Sequence, residues 1–513
     1  MDDGLLSTDI HETITRIKLE LGSPSDLLIN LNESGKHGNL KYASIYIENI
    51  VDKSSINSLS AEIAELLKSI DMYEGLSPDG YLSMLRNTLS CFRRHEEGTS
   101  FNSLCDSIIT GKTILLIDRC DRFFSIDNFS AEGRNVTEPT SQSLVRGPKE
   151  GFTEDLSVNI SLIRKRVKSK ALRIEDHVVG TITKTRIALM YIDKLARQDV
   201  VDEMRRRLMA VRIDGILDSG YIEELIKDDR YSIFPTFLNS EKPDSVVAEI
   251  LEGKVAVLVD GTAYVLTAPA LFVQFLQSSE DYYHQFAVSS VIRITRYLAF
   301  LLTLVVPAAY IALVTFHQEM IPTPLLISLA SQREGVPFPA LAEALMMEGI
   351  FEILREAGIR MPRIIGPAIS IVGALVLGQA AVEAGVISAF MVIVVSITAI
   401  SSFAIPNYSM ANAIRLIRFT FMILAGVMGL YGVFMGLNIM ILHLCKLKSM
   451  GLPYMTPIAP KGKHALKDTF LRYPLWSNRF RPDGITGSDS PRINASDPME
   501  PSQKSKQEFR EKK

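Results

Sequence analysis

The sequence predicts an α/β soluble region of two related subdomains followed by an α-helical multi-span membrane domain. Three observations carry that expectation. Charge is withheld from one long C-terminal stretch, uncharged runs of about 20 residues recur within it, and three short strings repeat in order across the N-terminal half. The chain has 513 residues, 47% hydrophobic and 22% charged, an average that hides two populations. Tyr297 to Cys445 holds six Arg and seven Glu in 149 residues, whereas the other 364 residues carry 100 charges. An ionised side chain at the bilayer centre costs about 2.5 kcal/mol or more, so the sparse stretch reads as membrane and the remainder as water-exposed.

Taken from the start, MDDGLLSTDIHETITRIKLE is acidic and has no basic start followed by an apolar core, so nothing there engages secretion machinery and the front is expected in the cytosol. The strings IYIEN (45 to 49) and MYIDK (190 to 194) match at an offset of 145, Pro78-Asp79-Gly80-Tyr81 answers Asp218-Ser219-Gly220-Tyr221 at 140, and GKTILLID (111 to 118) answers GKVAVLVD (253 to 260) at 142. Each half then reads as strand, helix, Gly-Tyr turn, helix and strand pair. The expected plan is subdomain one over 1–130, a polar linker over 131–145, subdomain two over 146–285, membrane domain over 286–450 and a basic tail over 451–513 whose end from Gly484 is disordered.

In the membrane half, Tyr297 to Phe316, Ile364 to Val382, Ala384 to Tyr408 and Phe419 to Cys445 are four candidate spans, with Arg293 and Arg296 at the entry and Lys446 and Lys448 at the exit. Residues 1 to 296 carry 35 basic and 44 acidic groups, residues 446 to 513 carry 14 and 7, and retention of the basic tail on the cytoplasmic side puts both termini inside. Arg415 and Arg418 oppose this topology, because they fall outside. Ile321 to Ala330 suits a re-entrant or interfacial piece. Pro339 to Gly358 puts Met347, Ile350, Phe351 and Leu354 on one helical face and Glu348, Glu352, Arg355 and Glu356 on another, as at a membrane interface or on a soluble helix packed on its own loop. Gly426, Gly429, Gly432 and Gly436 share a face suited to helix packing, Glu383 is a polar group between the second and third runs, and Asn438 and His443 are polar groups in the fourth.

No enzyme motif stands out. Gly111-Lys112-Thr113 lacks the earlier glycine of a phosphate loop, since Asp106 stands there, and it opens a strand rather than a helix. There is no H-E-x-x-H, no G-x-S-x-G and no Cys/His cluster, so neither catalysis, cofactor nor metal is expected. Cys91, Cys105, Cys120 and Cys445 form no C-x-x-C pair and read as reduced structural thiols. Basic residues that directly follow a membrane stretch speak for topology rather than nucleic acid.

GPKEGFTEDLSVNISLIRKR (147 to 166), LASQREGVPFPALAEALMMEGIFEILREAGIRMP (329 to 362), IPNYSMANAIRLIRF (405 to 419) and YPLWSNRFRP (473 to 482) strongly resemble the bacterial spore germinant-receptor A-subunit family of GerA type, over roughly residues 40 to 485. The resemblance implies a cytoplasmic front, a multi-span part in the spore inner membrane, and work beside a transporter-like B subunit and a lipoprotein C subunit. It also implies a homo-oligomer, a pentamer, whose membrane helices form an ion channel released by germinant. A non-conducting scaffold and a solute carrier are the other readings, and the lack of repeats in the membrane half counts against the carrier.

Within the channel reading, the third run is the most hydroxyl-dotted. Ser388, Val392 and Ser396 fall four apart on one face, and Glu383 sits at the bend before it. Five copies of Glu383 form a carboxylate ring that concentrates cations, with Val392 as an apolar gate. Alternatively Glu383 caps a hairpin and the hydroxyls bond their own backbone four residues back.

Overall fold

The computed structural model describes residues 4, 6–34, 40–51, 56, 61, 95–127, 139, 142, 146–360, 378–460, 468–478, 480–481, 484–486 and 491–492. The chain divides into two compact units. The first comprises Met1–Lys227, Phe237–Pro269 and Phe480–Asn494, and the second Asp228–Thr236, Ala270–Arg479 and Ala495–Lys513.

The first unit holds two five-stranded antiparallel sheets. The elements are α1 (Ile10–Leu21), β1 (Leu27–Ser34), β2 (Leu40–Ile47), β3 (His95–Gly98), α2 (Phe101–Ile109), β4 (Lys112–Ile117) and β5 (Phe123–Asp127), then α3 (Leu156–Arg166), β6 (Leu172–Val179), β7 (Thr185–Ile192), α4 (Gln198–Ala210), α5 (Ser219–Ile226), β8 (Leu238–Ser240), α6 (Pro243–Leu251), β9 (Val255–Val259) and β10 (Val265–Ala268). The strand orders are β1-β2-β4-β5-β3 and β6-β7-β9-β10-β8, so the expected duplication is present strand for strand. It extends to register. Leu27↔Ile47 in the first hairpin becomes Leu172↔Ile192 in the second, both partners shifted by 145. Thr113↔Ile126 becomes Val255↔Ala268, and Gly98↔Phe123 becomes Val265↔Ser240, both shifted by 142.

The helices repeat for the same local reason. Asp9 caps α1 by accepting from His11 N, and Asp155 caps α3 by accepting from Ser157 N and Val158 N, satisfying amides that a helix start leaves without partners. Asp118 Oδ1 accepts from Ile10 N at 3.4 Å, and Asp260 Oδ1 accepts from Leu156 N at 3.2 Å. Ile10, Ile14, Ile17 and Leu21 recur at helical spacing and are buried with Ala43, Ile45, Ile114 and Leu116 of the sheet. The second copy builds its own core from Leu156, Ile160, Ile163, Ala188, Met190, Ala256 and Leu258.

The two sheets are joined by a pair the duplication does not share. Arg164 donates from Nε and Nη2 to both Asp26 carboxylate oxygens at 2.6 and 2.7 Å, with the two side chains 4% and 3% exposed. The position matching Asp26 is Ala171 and that matching Arg164 is Lys18, so the join is head to tail. Residues from the end expected to be disordered also lie here. Ile485 is buried, Thr486 bridges to Ala196, and Arg492 pairs with Glu252 at 2.5 Å. Pro78-Asp79-Gly80-Tyr81, Cys91 and nearly all of the 131–145 linker lie outside the described residues.

The second unit contains α7 (Phe286–Thr315), α8 (Thr323–Arg333), α9 (Ala340–Arg360), α10 (Ala389–Phe403) and α11 (Tyr408–Lys446). Among the described residues, α7 and α11 are long and apolar enough to cross a membrane, and α10 is a shorter apolar helix. The first expected span lies in α7. The second, Ile364 to Val382, lies outside the described residues except for 378–382.

The fourth expected span is not one straight helix. Gly429 has φ 62° and ψ −145°, which breaks α11 into two arms. A Cβ on Gly436 would stand 3.3 Å from the Phe421 ring, and one on Gly432 would meet the Leu424 carbonyl. In a straight helix residues 15 apart are about 22 Å apart, so the chain turns back on itself. The four glycines therefore do not present one face to another helix. Gly426 admits Leu341 of α9, Gly429 forms the bend against His317, and Gly432 and Gly436 let the arms meet.

Candidate functional site among the apolar helices

A helix whose charged stripe faces inward needs a partner with opposite charge, and α9 has one. Glu348, Glu352 and Arg355 lie at intervals of four and three on α9, and Arg415 and Arg418 at three on the first arm of α11. Arg418 Nη2 meets Glu348 Oε2 at 2.6 Å and Glu352 Oε1 at 3.4 Å, and both Arg418 and Glu348 are fully buried. Glu352 is shared with Arg355 at 3.3 Å and Arg415 at 3.8 Å. Leu341 packs at Gly426, so α9 runs antiparallel to that arm. The expected interfacial helix thus turns Met347 and Glu348 inward together, while Ile350, Phe351 and Leu354 are only half-buried.

A second acid sits one turn from the start of α9. Glu343 is fully buried, and its Oε1 accepts from Ser388 N at 2.7 Å and from Ser388 Oγ at 2.5 Å, where Ser388 also caps α10. Glu348 Oε1 and the Nε and Nη1 of Arg418 meet no hydrogen-bonding partner among the described residues. The seam between α9 and α11 is therefore a charge cluster closed inside otherwise apolar helices.

Of the residues singled out from sequence, Ser388 joins this cluster and the others do not. Glu383 is exposed and accepts from Gln379 Nε2 at 3.0 Å. Val392 is half-buried, and its carbonyl accepts the Ser396 hydroxyl at 2.7 Å. Thr398 bonds the Val394 carbonyl at 2.8 Å in the same way. Asn438 Nδ2 donates to the Phe434 carbonyl, and His443 lies 3.0 Å from the Ser232 hydroxyl. Sequence reasoning missed Glu343 and did not join Glu348 to Arg418. The signal was the pair of Arg that contradicted the charge rule: Arg418 is neutralised by Glu348, so it does not act as a free charge.

A separate network closes the start of α7. Arg293 is fully buried, donating to Asp468 Oδ1 at 2.8 Å and the Asp468 carbonyl at 2.7 Å and lying 3.3 Å from Asp281 Oδ2. Arg296 donates to Asp281 at 2.8 and 2.9 Å, and Tyr282 donates to Asp468 Oδ2 at 2.6 Å. The two arginines expected to flank a span are therefore paired, one of them with the tail.

In the first unit, Gly111 has φ 90° and Lys112 leads into β4, paired with Glu96 at 2.5 Å, which is not a phosphate cradle. Burial pushes the Cys105 thiol up to about 11, so it is inert at neutral pH. No group of metal-ligating side chains occurs among the described residues.

The model of the Bacillus/Clostridium GerA spore germination proteins matches residues 15–484. The chain is 45% identical to spore germination protein KA of Bacillus subtilis (strain 168), covering 97% of this chain and 90% of that one. It is 42% identical to the uncharacterized membrane protein YfkQ of the same strain, covering 94% and 92%. Among solved structures it is similar to the N-terminal domain of the A subunit of the Bacillus megaterium spore germinant receptor GerK3, with 32% identity, 53% of this chain and 99% of that chain covered, and a TM-score of 0.42.

Proposed function

Because the chain belongs to the Bacillus/Clostridium GerA spore germination protein family, we propose that it is the A subunit of a nutrient germinant receptor and that its apolar helices assemble into a germinant-gated ion channel. The observation that carries the channel reading is the buried charge seam of Glu348, Glu352, Arg415 and Arg418, because ionisable side chains inside otherwise apolar helices are costly and commonly line ion pathways. The protein acts without catalysis, in the spore inner membrane, as a homo-oligomer of five copies beside a transporter-like B subunit and a lipoprotein C subunit. A ring of Glu383 gathers cations, and Val392 is the apolar gate.

Both termini face the cytoplasm. Since α9 runs beside the first arm of α11, it shares that arm's depth. An even number of crossings keeps the basic tail on the same side as the front.

A non-conducting scaffold is favoured by one observation, that Ser396 and Thr398 spend their hydroxyls on their own backbone. Conductance of the purified full chain in planar bilayers separates the two. The channel reading expects cation current that Glu383→Gln lowers and leak without germinant in Val392→Ala. No conductance from a correctly assembled oligomer refutes it. Labelling of cysteines placed at Ser54 and Ser502 from the same side of sealed vesicles tests the topology, and opposite labelling refutes it.

A further inference from the structure

Residues 468–478 are built inside out. The side chains that turn toward the protein are polar: Thr469, Arg472 and Asn478 are buried, and the Asp468 carboxylate is held by Arg293 and Tyr282. Those that turn away are Phe470, Leu471, Tyr473, Leu475 and Trp476, all exposed, with Trp476 58% exposed. In water this arrangement is unfavourable on both faces, because it exposes aromatic and aliphatic surface and buries charge.

The depth of the segment is fixed by what it touches. Phe470 packs on the Tyr297 ring at 5.1 Å, and Tyr297 donates to the Thr469 carbonyl at 3.2 Å. Ser290 Oγ donates to the Arg472 carbonyl at 3.1 Å. Tyr297 is the first residue of the uncharged run in α7, and Arg293 and Arg296 are the last charges before it. The segment therefore descends α7 from the edge of the apolar run, over seven residues or about 10 Å of helix rise, enough to cover the headgroup zone of about 5–7 Å on one side of the hydrocarbon. Over the same stretch of α7, Val291, Ile294 and Leu298 are also exposed and apolar.

We infer that residues 470–476 form a membrane-interface anchor: a strap clamped to α7 by Asp468 and Arg293, with its aromatic side chains seated at the boundary between headgroups and acyl chains. Tyr and Trp favour that boundary because an apolar ring and a polar N–H or O–H are both satisfied there. The inference rests on α7 crossing the bilayer but not on ion conduction.

Trp476 is the only tryptophan in the chain, so intrinsic emission reports this position alone. The test uses the full chain in phosphatidylcholine/phosphatidylglycerol nanodiscs, with lipids brominated near the headgroup end of the acyl chain as one quencher and aqueous iodide as the other. The anchor expects loss of most of the emission with brominated lipid and little loss with iodide. Asp468→Asn, which weakens the clamp, is expected to shift Trp476 toward iodide quenching. Quenching by iodide alone overturns the anchor, as does protection from both quenchers, which would mean that a protein surface covers the segment. Failure of the chain to enter nanodiscs at all would refute membrane crossing by α7 instead.

Discussion

Replacing Arg418 by Met should destabilise the helical unit more than any other single change at the seam. At an effective dielectric of about 20, the gross attraction of Arg418 is about 6 kcal/mol to Glu348 and about 5 kcal/mol to Glu352, from separations of 2.6 and 3.4 Å. Desolvation offsets most of this, but removing one partner strands the other, and a stranded buried charge costs about 3–5 kcal/mol. Glu348 has no second cation at the distance of an ion pair among the described residues, so Arg418→Met leaves it alone. Glu348→Gln is milder, because Arg418 keeps Glu352. The double variant should be more stable than the sum of the single effects predicts, with a coupling of about 2 kcal/mol or more. Unfolding of the purified chain in mixed micelles by denaturant, followed by circular dichroism, measures all four corners of this cycle. Additive effects, within about 0.5 kcal/mol, would refute the claim that the pair is buried and mutually dependent.

Burial raises the Glu223 carboxyl to about 7, with Asp218 adding to the shift and Lys227 opposing it. Its folded value lies above its unfolded value, so it costs nothing below pH about 4.5 and destabilises increasingly as pH rises to about 7, by about 3 kcal/mol at most. Glu223→Gln should therefore match the native chain at pH 4 and exceed it at pH 8 in denaturant midpoint, and equal gains at both would refute the assignment. Gly429→Ala should lower the thermal midpoint by the equivalent of about 1–3 kcal/mol, because a Cβ there has φ 62° and stands 2.7 Å from His317 Cε1. An unchanged midpoint would mean the bend is not strained by a side chain. Isothermal calorimetry should find no micromolar ATP binding to the purified chain, and binding abolished by Lys112→Ala would overturn the reading of Gly111-Lys112 as a strand start.

The duplication was legible because its repeated strings sit on central strands. β2, β4, β7 and β9 each have two neighbours in their sheets, so their apolar runs are dense and stand out. The edge strand β8, three residues with a half-buried pattern, left no such trace. The charged stripe of α9 was legible as a stripe but not as an inward face, because the residues that decide it, Arg415 and Arg418, lie on another helix some 60 residues on. Glycines three and four apart describe a packing face and a bend equally well, and only the positive φ at Gly429 separates them. The inverted tail segment was invisible for a similar reason: its outward residues have the composition of a core strand.

The shared register of the two sheets makes each half of the first unit a competitor for the other while the chain folds. A β4 strand that meets β7 before β2 finds the same ladder, because Tyr42↔Ile117 and Ile187↔Val259 are equivalent pairings. Hydrogen bonds cannot tell the two apart, so discrimination falls to side chains and to order of synthesis. Both halves carry a lysine at this position, but Lys112 pairs with Glu96 on β3 and Lys254 is fully buried beside Glu249 on α6, so an exchanged strand would part each lysine from its own carboxylate. Emergence of the N-terminal sheet from the ribosome before β7 exists adds a head start of about 60 residues of chain, several seconds at about 5–20 residues per second. Refolding of the complete chain from denaturant lacks that interval, so strand exchange between the halves is the misfolding that the shared register predicts.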